Sequence, residues 1–536
     1  MTLASWSRIE AECARLRSRP LKQTAQRADM APFIWTAPYL EADVGKQMID
    51  AGALRALQAL SAERDLAGRI GALFAGQTVN RSENRPALHW ALRSAGADLP
   101  AAGAMQREAD RAADFALTAA SGGLGFRVRT VLHIGIGGSD LGPRLIWDAL
   151  RSYGPDETRI RFVANIDPDD FAEQTADLDP ASTLVIVVSK SFRTPETASN
   201  AALARDWLVQ RLGETAAAAH LAAVSSAPDR ARAWGAAPEH IFPMDEAVGG
   251  RYSVWSSVGL SLQIALGPQV WRRFLSGGAA MDRHFRETPL EENTPARLAM
   301  LDVFLHTAAG LPSRTVLAYA HRLRRLPDFL QQLEMESNGK SAPDLPGGRL
   351  SDTAPFVWGS AGTLGQHSFH QLLHQGTRIS AVEFVVALSA GASVSVSETD
   401  RRRALLANAF AQAEGLLAGR DAAAAETELI AAGMGPEAAA RQAVHMHMPG
   451  DRPSTTLILD SLSPESLGAL IALYEHRTFA AGILWGINPF DQWGVERGKV
   501  LAEQLDRAIA GADPGARDPS TLHLVSRARR GEDPGQ

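Results

Sequence analysis

At 536 residues, 45% hydrophobic and 21% charged, the chain is too long for one ordinary core and has the composition of a soluble globular protein of two domains or three. A formal net charge of −6 over that length excludes a general affinity for nucleic acid or an anionic membrane surface. The single cysteine, Cys13, excludes a disulfide scaffold and a cysteine-based zinc site within the chain, and it fits a cytosolic protein.

The first residues carry charge from Arg8 onward and contain no apolar h-region, so they do not read as a signal peptide. Apolar runs elsewhere are broken well before membrane-spanning length. Residues 1–120 read mostly as helices, with alanine- and leucine-rich patterns at 54–73 and 105–119. Between them 80–93, NRSENRPALHWALR, is dense in polar groups and then reads as helical from Pro86, a residue suited to a first helical turn.

The rest of the chain is organised around 130–142, TVLHIGIGGSDLG. An apolar run at 131–136 predicts a buried strand, Gly135, Gly137, Gly138 and Gly142 predict a bare-backbone turn, and 141–150 predicts a helix. A strand feeding a glycine turn and a helix is where α/β folds bind phosphate, because unobstructed N–H groups can approach an anion. Counted from Gly135, the sixth place of a dinucleotide fingerprint is Asp140, and Gly142 is followed by Pro143 and Arg144 instead of the lysine of a nucleotide P-loop. Both nucleotide readings fail, which favours a smaller phosphorylated ligand. Further apolar runs at 160–164, 184–188, 221–224 and 240–244, with helical patterns such as 195–212 between them, predict a parallel doubly wound sheet within 121–285. Residues 286–512 repeat the style, with apolar runs at 316–320, 355–357, 379–388 and 455–459 and helices at 322–335, 366–374, 400–418, 464–481 and 491–509. An alanine-rich helical insertion is expected at 419–449, and 513–536 reads as a peripheral tail.

Five stretches could do chemistry. In VVSKSFRTPET (187–197), Ser189, Ser191 and Thr194 offer hydroxyls beside Lys190 and Arg193 just before a helix start at Pro195, either an anion pocket or an ordinary helix cap. In GGRYSVWSSVG (249–259), two glycines precede Arg251, which can donate bidentate hydrogen bonds to an oxyanion. In LQQLEMESNGKSA (330–342), Glu336 lies at a helix end closed by Asn338-Gly339; it is either a general base or a solvated glutamate, with Glu334 as its local control. In GTLGQHSFHQLLHQG (362–376), His367, His370 and His374 share one helical face. With no HExxH and no cysteine ligand, these are either a metal face or core and interface histidines of which one does acid–base work. In NPFDQWGVERGK (488–499), Gln492 can hydrogen-bond a polyol and Lys499 can act as an acid or fixed cation. Only five of the 54 basic residues are lysine, and Lys190, Lys340 and Lys499 fall within these stretches.

In this order the stretches resemble the glucose-6-phosphate isomerase (phosphoglucose isomerase) family. The match is carried by IGIGGSDLGP (134–143), SKSFRTPET (189–197), GGRYSVWSSVG (249–259), MESNGK (335–340), GQHSFHQLLHQG (365–376), GDRPS (450–454), FDQWGVERGK (490–499) and the early SENRPALHWALR (82–93). It departs from the family pattern at Leu364, Ser191 and Met448, where many members have asparagine, threonine and an aromatic residue. The resemblance implies an α/β fold of two SIS-type doubly wound parallel-sheet sandwich domains with helical N- and C-terminal extensions. The expected divisions are a helical region at 1–120 packing on the large domain, a first, phosphate-binding domain at 121–285, a second domain at 286–512 and a tail at 513–536. It implies reversible aldose–ketose isomerisation of glucose 6-phosphate to fructose 6-phosphate, through ring opening and a cis-enediolate. By similarity Glu336 carries the proton, Arg251 stabilises the enediolate, and His367 and Lys499 open the ring. Ser189, Lys190, Ser191 and Thr194 hold the phosphate, and Gly138, Ser139, Gln332 and Gln492 make sugar or phosphate contacts. No metal or nicotinamide cofactor is implied. A cytoplasmic homodimer is, with His367 supplied across the subunit interface. A non-catalytic sugar-phosphate sensor on the same fold would need the anion pocket but not Glu336, His367 and Lys499.

Overall fold

The computed structural model describes residues 3–94, 100–389 and 396–532. The last four residues of the expected tail lie outside the described residues. The chain divides into two compact units, Met1–Pro489 and Phe490–Gln536.

Among the described residues of the first unit, eleven strands build two sheets. They are β1 (Ile34–Ala37), β2 (Leu40–Asp43), β3 (Thr130–Ile134), β4 (Arg159–Val163), β5 (Thr183–Val188), β6 (Leu221–Val224), β7 (Ile241–Phe242), β8 (Ser313–Tyr319), β9 (Phe356–Ala361), β10 (Ala381–Ser389) and β11 (Ser454–Ser461). One sheet has the order β4-β3-β5-β6-β7, all parallel. The other has the order β1-β2-β11-β10-β8-β9, and its β11, β10, β8 and β9 are parallel.

The central strands of both sheets are covered on two faces, which is why they read as continuous apolar runs. On β3, Leu132 and Ile134 pack with Val185 and Val187 against Ala201, Ala204 and Leu208 of helix Pro195–Leu212. His133 turns to the opposite face and meets Ser261 of helix Leu260–Leu266. On β10, Val382, Phe384 and Val386 pack against Ala409, Ala413 and Leu416, while Glu383 turns the other way to Tyr474 and Arg477. Those two belong to helix Pro464–Trp485, which is buried along almost its entire length. A Ser463 capping box and Pro464 start it, and Gly486 in the left-handed region stops it. Helix Trp6–Arg17 buries Ile9, Cys13 and Leu16.

The predicted elements differ from the observed ones in several places; the helix expected at 366–374, for example, is two short helices, Gly362–Gln366 and His370–Gln375. Residues 1–120 are not purely helical: β1 and β2 form an antiparallel hairpin, and β2 pairs antiparallel with β11, extending the second sheet. No helix starts at Pro86; a 3-10 turn forms at His89–Leu92 instead. The pattern at 54–73 is two helices, Ala51–Glu63 and Leu66–Phe74, broken at Asp65 with φ +53°. The pattern at 322–335 passes from helix Leu326–Leu330 into a π-helical turn, Gln331–Glu336.

The second unit consists of a 3-10 turn, Trp493–Val495, and helices Glu496–Ile509 and Pro519–Glu532. Arg529 Nε ties the two helices by donating to the Ala508 carbonyl at 2.8 Å. Among the described residues no helix is long and apolar enough to cross a membrane.

Candidate active site

The turn after β3 is shaped by what its glycines leave room for. Gly137 has φ +59°, and a Cβ there would lie 3.0 Å from the Gln332 side-chain nitrogen. A Cβ at Gly138 would collide with the Gly250 carbonyl. The backbone of Gly138 therefore lies directly against Gly250-Arg251. Ser139 is held from behind: His133 Nε2 donates to its carbonyl at 2.7 Å, and His133 Nδ1 lies 2.9 Å from Ser261 Oγ. Because a carbonyl only accepts, the proton is on Nε2 and Nδ1 accepts from the serine. Full burial lowers the His133 pKa to about 4, so the ring stays neutral.

Arg251, in the 3-10 helix Gly250–Trp255, is 3% exposed and is fixed on several sides. Its Nε donates to Ser337 Oγ at 2.6 Å and its Nη2 to the Pro489 carbonyl at 2.8 Å. Tyr252 OH reaches the same serine at 3.0 Å and the same carbonyl at 3.4 Å. The remaining arm, Nη1, faces Glu336 Oε1 at 3.2 Å. Glu336 closes the π-helical turn Gln331–Glu336, which also carries Gln332. Turns of this kind recur at functional sites because the extra residue pushes side chains out of helical register. The Glu336 side chain keeps 23% of its surface open, against 1% for Arg251. A fixed cation and a partly open carboxylate thus stand together beside the glycine turn.

Glu334, the local control, is more deeply buried than Glu336. It is 5% exposed and paired with Arg314, and burial outweighs that partner, pushing its carboxyl up to about 6.

The hydroxyl-rich loop follows β5, the neighbour of β3 in the sheet, so both turns leave the same edge, at the carboxyl ends of parallel strands. Ser189 Oγ accepts from the Phe192 N–H at 3.1 Å, and Ser191 Oγ accepts from the Arg193 N–H at 3.3 Å. Thr194 caps helix Pro195–Leu212 without a side-chain bond of its own. Lys190 pairs with Glu246 at 3.1 Å, four residues before Gly250.

His367, by contrast, is exposed, just after helix Gly362–Gln366, and within one chain no hydrogen bond or ion pair joins it to Arg251 or Glu336 among the described residues. His370 Nδ1 and His374 Nε2 both donate to Gln412 Oε1, each at 2.8 Å. Both rings thus spend a donor nitrogen on one amide oxygen. Among the described residues no group of three histidine, cysteine or acidic side chains is placed to hold a metal ion. Gln492 and Lys499 belong to the second unit, where Lys499 pairs with Glu496 at 2.8 Å.

Three residues that sequence reasoning did not single out are His133, Tyr252 and Ser337. An imidazole inside an apolar strand was the one available signal, since a buried polar ring must find partners.

The family model described as Phosphoglucose isomerase matches residues 43–525. A glucose-6-phosphate isomerase of Caulobacter sp. (strain K31) is 45% identical over 538 residues, 98% of this chain and 99% of that protein. One of Frankia casuarinae is 46% identical over 521 residues, 93% of this chain and 91% of that protein. The crystal structure of a glucose-6-phosphate isomerase from Chlamydia trachomatis matches with a TM-score of 0.84 at 31% identity, covering 99% of this chain and 100% of that one. The expected α/β architecture of doubly wound parallel sheets is the one observed. On this identity and coverage, the chain belongs to the phosphoglucose isomerase family.

Proposed function

We propose that this chain interconverts D-glucose 6-phosphate and D-fructose 6-phosphate, as an enzyme of glycolysis and gluconeogenesis. The observation that carries the reading is the Arg251–Glu336 pair at 3.2 Å beside the glycine turn. Aldose–ketose isomerisation moves one proton between adjacent carbons of an open-chain sugar, with no net change of oxidation state. One carboxylate can lift that proton from one carbon and return it to the next, and Glu336 has the open surface to do so. The enediolate oxygen formed in between needs a cation already in place, and Arg251 is locked by Ser337 and Pro489 before substrate arrives.

The phosphate is assigned to Ser189, Lys190, Ser191 and Thr194, whose loop leaves the same sheet edge as Gly138 and Ser139. Gln332 and Gln492 are assigned to sugar or phosphate contacts. His367 and Lys499 are assigned to opening the ring. His367 is assigned to the site of a second copy in a homodimer. Its exposure supports this, as do exposed apolar side chains around it: Leu364 at 65% and Leu372 at 50%. The proposed setting is the cytoplasm.

The test is Glu336→Gln in a coupled assay with glucose 6-phosphate. Turnover is expected to fall on the order of 10²–10⁴-fold, the share of a general base, while sugar-phosphate binding stays near normal. Full turnover in that variant would remove Glu336 from the role.

A further inference from the structure

Helix Pro464–Trp485 carries four consecutive polar side chains, Tyr474, Glu475, His476 and Arg477, none more than 3% exposed. Successive helix positions diverge by about 100°, so neighbours in sequence face different partners. Glu475 and His476 enter one cluster. There Arg93 pairs with Glu475 and with Asp282, and His476 Nε2 meets Asp282 at 2.7 Å. Tyr474 and Arg477 enter another. There Arg477 donates to Asp302 at 2.7 Å and to Glu383 at 2.6 Å, Tyr474 OH donates to Glu383 at 2.6 Å, and Arg314 bridges Asp302 and Glu334.

Each cluster grips one half of the Arg251–Glu336 pair. Glu475 Oε1 accepts from Trp255 Nε1 at 2.7 Å, and Trp255 closes the 3-10 helix that begins with Gly250-Arg251. The Trp255 ring is also stacked on Phe274 at 4.6 Å. Glu334 lies in the same π-helical turn as Glu336, two residues before it. The contact between the pair is itself slack: 3.2 Å exceeds the roughly 2.7–2.9 Å of a relaxed charge-assisted bond. Their separation is thus set by the elements behind them. Buried charges are poor sources of net stability, and well-packed hydrophobic residues often do better, whereas fully bonded networks fix directions.

We infer that residues 474–477 form a positioning frame that sets the spacing of Arg251 and Glu336, through Trp255 on one side and through Arg314 and Glu334 on the other. This rests on the reading of Arg251 and Glu336 as the reacting pair.

The test measures kcat and KM for glucose 6-phosphate, with the melting temperature, in Trp255→Phe and Glu334→Gln, alongside Glu336→Gln as reference. Trp255→Phe keeps a ring beside Phe274 but removes the indole N–H together with the second ring, so the melting temperature reports the lost packing and kcat the lost tether; Glu334→Gln keeps the size and loses the charge. Each variant is expected to lower kcat about tenfold, the effect of a sub-ångström misplacement, with KM within about twofold because the phosphate is held elsewhere. Parental kcat in both variants with a lowered melting temperature would reduce the clusters to structural glue and overturn the inference. Full activity in Glu336→Gln would instead sink the underlying assignment, whatever the tethers do. Should either variant fail to fold, Tyr474→Phe decides, since it removes only the bond to Glu383. A several-fold loss of kcat supports the frame, and an unchanged kcat overturns it.

Discussion

Arg251 spends its donors on fixed acceptors, and one of these, Ser337 Oγ at 2.6 Å, can be removed by a single substitution. Ser337→Ala is expected to cost about 1–3 kcal/mol, the range for leaving a buried polar partner unmatched, and to lower kcat by loosening the guanidinium. Melting temperature and steady-state kinetics check both effects. His133 gives a pH signature at the same scale. Its folded pKa of about 4 lies below the ordinary 6.5, so the unfolded chain binds the extra proton. Its contribution to stability is complete above pH 6.5 and is lost as the pH falls through 4, amounting to about 3 kcal/mol. Urea midpoints should therefore drop between pH 7 and pH 4.5 less steeply in His133→Asn than in the parent. At this scale the sequence was legible where a motif named the residue. Arg251 and Glu336 stood in recognisable contexts, and the fold brings them within 3.2 Å. Ser337 carried no signal, because its partner Arg251 lies 86 positions away. Nor did the buried pairing of Glu334 carry one, its arginine being 20 positions off.

Among the elements, the glycine turn and the hairpin make contrasting predictions. Gly138→Ala would drive a methyl group into the Gly250 carbonyl, displacing the turn or Arg251. A loss of about tenfold or more in kcat/KM is expected, with a destabilisation of about 1–3 kcal/mol from the forced backbone shift. Trp35, 1% exposed in β1, should behave the other way. Trp35→Ala is expected to cost about 3–5 kcal/mol in a thermal or urea titration while leaving kcat of the folded enzyme near parental. The strands of both parallel sheets were legible because burial on two faces writes an unbroken apolar run, as in β5 with TLVIVV. The hairpin was not, since its two four-residue strands alternate buried and open positions around Pro38-Tyr39, too short a pattern to stand out among helices. Tyr474–Arg477 was legible as helix but not as core, because four polar residues in a row read as a solvated face until their distant partners are known.

Across the molecule, the two buried clusters share one imbalance. Arg93 faces two carboxylates, Asp282 and Glu475; Arg314 and Arg477 face three, Asp302, Glu334 and Glu383. Each is one positive charge short, and in each a carboxylate is pushed upward by burial, Glu475 to about 7 and Glu334 to about 6, from an ordinary 4.5. A carboxyl with a raised folded pKa holds its proton in the native state, so its contribution declines as pH rises from 4.5 through the folded value, by about 3 kcal/mol for Glu475. Glu475→Gln should remove that decline, so the difference between urea midpoints at pH 7.5 and pH 5 should shift in favour of pH 7.5 relative to the parent. The proposed homodimer has its own test. Inactive Glu336→Gln and His367→Ala chains, unfolded together and refolded, should regain about a quarter of parental sites if each site borrows His367 from the other copy, and none if each chain is self-sufficient.

Cys13 offers an experimental opening. Its thiol is 3% exposed, and burial pushes its pKa up, so it is a poor target for alkylation at neutral pH. A cysteine installed at Val444, 66% exposed, would then take a maleimide dye or nitroxide almost alone, without any prior removal of native thiols. Dipolar spectroscopy on such a labelled sample would read the separation between copies directly.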